Sequence, residues 1–174
     1  MLLVVHVLGV ALVAGSGSGG GEPASGSGAG GSDALDEPPT IACEVEQPCD
    51  LGESMVTVTE AGETDLIATS MGNSEGNFVL IKFDYTYGGT QPATVEDYYW
   101  KLEDGKGRTY NYAYDPTSNY EIDNNRFLLY EEINPGTERS GAIVFEVAQD
   151  AEDFTLRVRD LIRPQTSKRA EVYF

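Results

Sequence analysis

The chain has 174 residues, of which 29 are acidic, 11 basic and one histidine, giving a formal charge of −18. Such a surface repels nucleic acid and anionic membrane, so neither is expected as a partner. The one histidine, His6, lies in an apolar leader. The body therefore lacks the imidazole needed by Ser-His-Asp or Cys-His nucleophile systems and by His-based zinc or iron sites.

Residues 1–15 form a signal-peptide-like apolar segment. Its greasy run, Leu2 to Ala14, matches the apolar core of an export signal and is short of the roughly 18 residues that span a bilayer. No Lys or Arg precedes Lys82, so the usual basic patch is missing. A start upstream of Met1 accounts for that, and an uncleaved tail with no targeting role is the alternative. The run Leu12-Val13-Ala14-Gly15-Ser16 has the form of a lipoprotein cleavage site, with Ser16 where the lipid-bearing Cys stands in that motif. A hydroxyl cannot form the thioether. The expected location is extracytoplasmic, secreted or tethered to the cell surface, with membrane contact only through this segment.

Residues 16–50 read as a disordered Gly/Ser-rich and then acidic linker. Ser16 to Ser32 holds 8 Gly and 5 Ser, and its mean reach as a coil is about 23 Å. It serves as a spacer or is featureless disorder. Past Ser32 the body carries 28 acidic and 11 basic residues, a balance of −17. The charge is uneven, because Asp33 to Ile81 has 11 acidic residues and no basic one, while Arg157, Arg159, Arg163, Lys168 and Arg169 sit near the end. If the first and last strands are neighbours, the two ends attract. The acid coat, with only four Lys, serves solubility, fits a halophilic source, or marks a cation or partner site.

Cys43 and Cys49, with five residues between them, are expected to form a disulfide in an exported protein. Zinc binding is the weaker reading, since a second ligand pair is missing. The spacing is too short for a bridge between two sheets around Trp100.

Period two dominates residues 51–174, the expected folded domain. Val56 and Val58 alternate with threonines, and Val79, Ile81, Phe83, Tyr85 and Tyr87 form the clearest half-buried strand. Tyr98, Trp100 and Leu102 share a face, as do Tyr110, Tyr112 and Tyr114. Phe127 to Tyr130 reads as a short strand. Ile143, Phe145 and Val147 follow, then Phe154, Leu156 and Val158. Gly88-Gly89, Glu103 to Gly107, Asp115-Pro116 and Asn134-Pro135-Gly136 separate these runs. The only helical turn expected spans Thr94 to Tyr98. This is the pattern of an all-β, Ig-like antiparallel β-sandwich.

From about Gly52 to Asp160 the body resembles a family of exported Ig-like β-sandwich domains of unknown function, with members among bacterial and archaeal lipoproteins. It is also similar to the mycobacterial immunoprotective extracellular antigen fold. The resemblance rests on Asn77 to Tyr85, on Trp100-Lys101-Leu102-Glu103-Asp104-Gly105 followed by Tyr110, on Ile133 to Glu138, and on Gly141 to Val147. These motifs imply a fold; the family brings no catalytic residues to carry over.

Adjacent carboxylates, Glu131-Glu132 and Glu96-Asp97, point to opposite faces of a strand, so a hydrolase pair requires residues from distant segments. Asp104 and Asp123 are further acids to weigh for such a pair. No cofactor is expected, although Asp115, Asp123, Asn124 and Asn125, or Glu60, Glu63 and Asp65, offer oxygen ligands for Ca²⁺ without the EF-hand spacing. The alternative is that they cap turns. Nine of the ten tyrosines fall between Tyr85 and Tyr130. Tyr110, Tyr112 and Tyr114 form a possible binding surface if they face outward and core if inward. The expected function is a non-catalytic, surface-tethered interaction module for an unknown protein or glycan outside the cytoplasm. The alternatives are a Ca²⁺-dependent structural module and a carboxylate-based hydrolase.

Overall fold

The structure, a computed structural model, describes residues 39–95, 99–126, 130–163, 165 and 167–174. The apolar N-terminal run, the Gly/Ser segment, the Glu96-Asp97 pair, Tyr98 and residues 127–129 of the expected strand Phe127 to Tyr130 lie outside these residues.

Two sheets stack on one core. The first has the order β1 (Thr40–Glu44), β11 (Arg169–Tyr173), β10 (Thr155–Arg159), β6 (Lys101–Glu103) and β7 (Thr109–Tyr110). The second runs β2 (Pro48–Asp50), β3 (Ser54–Thr69), β4 (Gly72–Tyr87) and β9 (Glu138–Glu146), and β5 (Ala93–Thr94) pairs with β8 (Glu132–Ile133). Alternation dictates the filling: Val56, Val58, Val79, Ile81, Phe83, Tyr85, Ile143 and Phe145 of the second sheet meet Leu102, Leu156, Val158, Ala170 and Val172 of the first, all fully buried. Trp100 lies at the centre, its ring centroid 4.5 Å from that of Phe83 and its Nε1–H donating to the Arg159 carbonyl at 2.7 Å. Tyr85 brings a polar group inside, beside buried Ser54 and Asp160. Burial and the neighbouring Asp160 push its phenol well above the usual range, and its hydroxyl is 2.7 Å from Ser54 Oγ.

The sandwich is as the alternation predicts, with several differences. Pairing is antiparallel except between β1 and β11, which run parallel. β1 and β2 fall inside the stretch expected as linker, so folded structure reaches back to Thr40; five residues suffice for a strand when β11 supplies the template. The first and last strands are indeed neighbours, and the acidic front meets the basic end in Lys168–Asp50 at 2.9 Å and Arg163–Glu53 at 3.2 Å.

A helix, α1 (Tyr114–Asp123), begins at the last residue of the expected tyrosine face and runs through Asp115-Pro116, expected as a turn; of the expected helical turn Thr94 to Tyr98, Thr94 ends β5 and residues 96–98 lie outside the described residues. α1 has no apolar stripe for a sequence reading to detect, because the side chains it buries are Thr117 and Glu121. These cover the outer edge of β9. Ala113 N–H donates to the Val144 carbonyl at 2.7 Å, and Val144 N–H donates to Thr117 Oγ1 at 3.0 Å. Glu121 Oε1 accepts from Ala142 N–H at 3.4 Å. An open strand edge is a template for foreign strands, and here side chains occupy it. Asp115 in the first turn suits the positive end of the helix dipole, and Pro116 is tolerated there because first-turn N–H groups lack helical partners.

Finally, the Cys43–Cys49 bond, with Cα atoms 6.1 Å apart, joins the edge strand of one sheet to the edge strand of the other. Its short span was expected to preclude an inter-sheet bridge. It succeeds at the rim of the sandwich, far in sequence from Trp100, because β1 and β2 are edge strands linked by a tight turn with Glu46 at φ 68°.

Candidate functional site

The outer face of the five-stranded sheet gathers four of the 11 basic side chains of the chain around one groove. Inward Leu156 and Val158 force Arg157 and Arg159 outward on β10, and inward Ala170 and Val172 do the same for Arg169 and Glu171 on β11. Leu102 likewise turns Lys101 outward on β6. With exposed Tyr99 these residues line an open groove of about 340 Å³, bounded by Thr40 and Thr109.

Register makes this face unusual. Arg157 stands directly opposite Lys101, and Arg159 directly opposite Arg169. Like charges directly opposed across strands destabilise a sheet. Arg157 is paired locally, reaching Glu103 at 2.8 Å and Glu171 at 3.6 Å. Arg159 forms no ion pair among the described residues. Exposed pairs such as those of Arg157 are individually weak, so they leave the groove cationic.

A polar knot holds the β6–β7 hairpin that contributes Lys101 and Thr109. Asp104 is buried and accepts from the backbone N–H of Lys106 at 3.0 Å and of Arg108 at 2.9 Å, from Arg108 Nε at 2.6 Å and from Tyr110 Oη at 2.8 Å. Burial pushes its carboxyl up, but the donors from Arg108, Tyr110 and Lys106 outweigh that and bring it down to about 2. Asp150 clamps the same loop through Lys106 at 2.7 Å and Arg108 at 2.8 Å, and these cations hold its carboxyl well below the carboxylate range. Every acceptor in this knot is committed to the fold.

The tyrosines singled out by spacing do not share a strand. Tyr110 lies in β7, Tyr112 forms an isolated bridge with Phe145, and both pack half-buried on the core, whereas Tyr114 opens α1 and is exposed. The aromatic ring that does border the groove is Tyr99. The carboxylates considered for Ca²⁺ or hydrolysis are dispersed. Asp123 is bonded to Ser70 through both backbone N–H and hydroxyl, which lowers its carboxyl. Asp115 sits at the start of α1, and Asn124 caps its end with Nδ2–H to the Tyr120 carbonyl at 2.9 Å. Glu60 pairs with Lys82 at 2.7 Å and Glu131 with Arg139 at 2.9 Å. Among the described residues no three Asp, Glu, His or Cys side chains converge as a metal site would require. The basic clustering near the C-terminus was visible in the sequence; that Lys101 and Arg169 flank β10 was not, because register joins them.

The fold recurs in solved structures. The secreted protein MPT63 from Mycobacterium tuberculosis superposes with a TM-score of 0.55 at 8% identity, covering 78% of this chain and 98% of its own. An uncharacterised β-sandwich protein from Clostridium difficile gives 0.55 at 8% identity, over 82% of this chain and 99% of its own. A putative lipoprotein from Bacillus subtilis gives 0.50 at 16% identity, over 75% of this chain and 39% of its own. At these identities the likeness is one of fold alone. The chain matches no curated protein in sequence. Over residues 43–169 it matches a family model, and the chain accordingly belongs to the DUF4352 family, a domain of unknown function.

Proposed function

We propose that this chain is a non-catalytic, extracytoplasmic binding domain, held at the cell surface by its N-terminal segment, whose contact surface is the cationic groove on the outer face of the five-stranded sheet. One observation carries this reading: a body of charge −17 places four of its 11 basic side chains around one groove, two pairs of them directly opposed. Solubility alone gives no reason to bring like charges face to face, whereas an anionic partner relieves that repulsion on binding. The extracytoplasmic placement draws on the apolar leader, on the cysteine pair joined in a disulfide, and on structural neighbours described as a secreted protein and a putative lipoprotein. The non-catalytic reading draws on the absence of imidazole from the body and on the engagement of the buried carboxylates in the fold.

The test is retention of the purified full chain on a cell-envelope fraction from its source. Arg159→Glu/Arg169→Glu should abolish retention, and Glu60→Gln on the opposite sheet should not. Equal retention of the charge-reversed and native proteins overturns the groove as contact surface. Fractionation that leaves the native protein in the cytosol overturns its placement.

A further inference from the structure

Resting on the groove as contact surface, we infer that its ligand is an acidic glycan, a chain of sugar rings bearing carboxylates of the uronate type.

The geometry separates this from other anions. The groove lies on the face of the sheet, where the backbone N–H and C=O groups of β10 and β11 are already spent in the ladder. A peptide cannot add there as a strand, the usual way a sheet captures extended peptide. The polar side chains offered are the four cations, Tyr99, the hydroxyls of Thr40 and Thr109, and one carboxylate, Glu171, which is held against Arg157 at 3.6 Å. A uronate ring presents the complement of each: a carboxylate for an Arg fork, an apolar ring face for an exposed tyrosine, and hydroxyls for threonine. Cation pairs recur along β10 two residues apart, at Arg157 opposite Lys101 and at Arg159 opposite Arg169. Successive pairs on one face of a strand are therefore about 7 Å apart, so a linear polymer with regularly spaced carboxylates can occupy both.

The acidic remainder of the body repels any polyanion at long range. At about 0.15 M salt the Debye length is about 8 Å, which confines that repulsion while contact pairs inside the groove persist. The same screening explains why a glycan segment seated in the groove is favoured over a long, densely charged polymer that must run across the acidic surface.

The experiment is calorimetry of the full chain at 0.15 M salt against three probes: short oligogalacturonates, their neutral methyl esters, and polyglutamate of matched charge. Oligogalacturonate should bind, its methyl ester should bind at least tenfold more weakly, and so should polyglutamate. Arg159→Gln/Arg169→Gln should weaken oligogalacturonate binding at least tenfold with an unchanged or higher melting temperature, and Lys101→Gln, on a different strand, should weaken it as well. No binding of oligogalacturonate, equal binding of the methyl ester, equal or tighter binding of polyglutamate, or full affinity in the variants overturns the assignment. If envelope retention depends on Arg159 and Arg169 while oligogalacturonate fails, the ligand class falls and the groove stands. If retention is also indifferent to these residues, both fall.

Discussion

Arg159 stands directly opposite Arg169 across the β10–β11 pair, two guanidinium side chains on one face of a sheet in a protein of net negative charge. Replacing Arg159 by Gln removes the opposition and should stabilise the fold by about 0.5 kcal/mol in low salt, a gain that shrinks as salt screens the pair. Urea midpoints of native and variant protein at two ionic strengths measure it. A loss of stability in the variant would show that Arg159 supports the sheet and is not held there at a cost.

The Asp104 knot sets an acid limit. Its carboxyl lies at about 2 in the fold against 3.8 ordinarily. A depressed carboxylate contributes stability that is complete above the unfolded value and lost as pH falls through the folded one. Asp150, Asp50 and Asp123 are lowered as well, by their Lys, Arg or Ser partners. Stability should be flat above about pH 4 and drop towards pH 2. Asp104→Asn should be less stable at pH 7 and should flatten that drop. A denaturation series in which the native protein and the variant lose stability in parallel between pH 4 and 2 would rule out this role for Asp104.

Closing the ring of residues 43–49 constrains the unfolded chain by about 2 kcal/mol in the loop-entropy account. Cys43→Ser/Cys49→Ser should be destabilised by that amount, and reductant should lower the melting point of the native protein only. Mass spectrometry of the unreduced native chain should find no free thiol.

Thr117→Val keeps the shape of the side chain but leaves the buried Val144 N–H without its acceptor. The expected cost is about 1–3 kcal/mol, together with faster hydrogen exchange at Val144 and a greater tendency to associate through the uncovered β9 edge. Unchanged exchange at that amide would mean that the helix does not guard the edge.

At Gly141 a methyl group would lie 2.4 Å from the Phe83 ring, which in turn packs on Trp100. Gly141→Ala should cost about 1–3 kcal/mol through overpacking and should shift the tryptophan emission. A variant with native stability and emission would mean that the ring can move aside freely.

How far the sequence reached depends on how local each signal is. Alternation in Val79 to Tyr87 and in Phe154 to Arg159 needs no partner to be read, because a pleated strand half-buried against a core leaves a period of two whatever it pairs with. The Asn134-Pro135-Gly136 turn was legible for the same reason: Gly136 adopts φ 74° and Thr137 N–H closes the turn onto Asn134 at 3.1 Å. α1 escaped because its buried face is polar, and Thr117 and Glu121 become core residues only where β9 presents an unpaired edge. The tyrosine triplet misled because spacing of two implies a shared face only if the chain stays extended, and after Tyr112 it turns into a helix.

By itself, the sequence determined that this is a β-sandwich with an excess of acid, an apolar N-terminal run and no imidazole beyond His6, since composition and period are properties of the chain alone. Which side chains meet was decided by the tertiary structure. Register set Arg159 against Arg169 and Arg157 against Lys101, residues up to 56 positions apart in sequence being brought together only by strand order, and cross-strand neighbours are fixed by hydrogen bonding between segments whose relation no local pattern encodes.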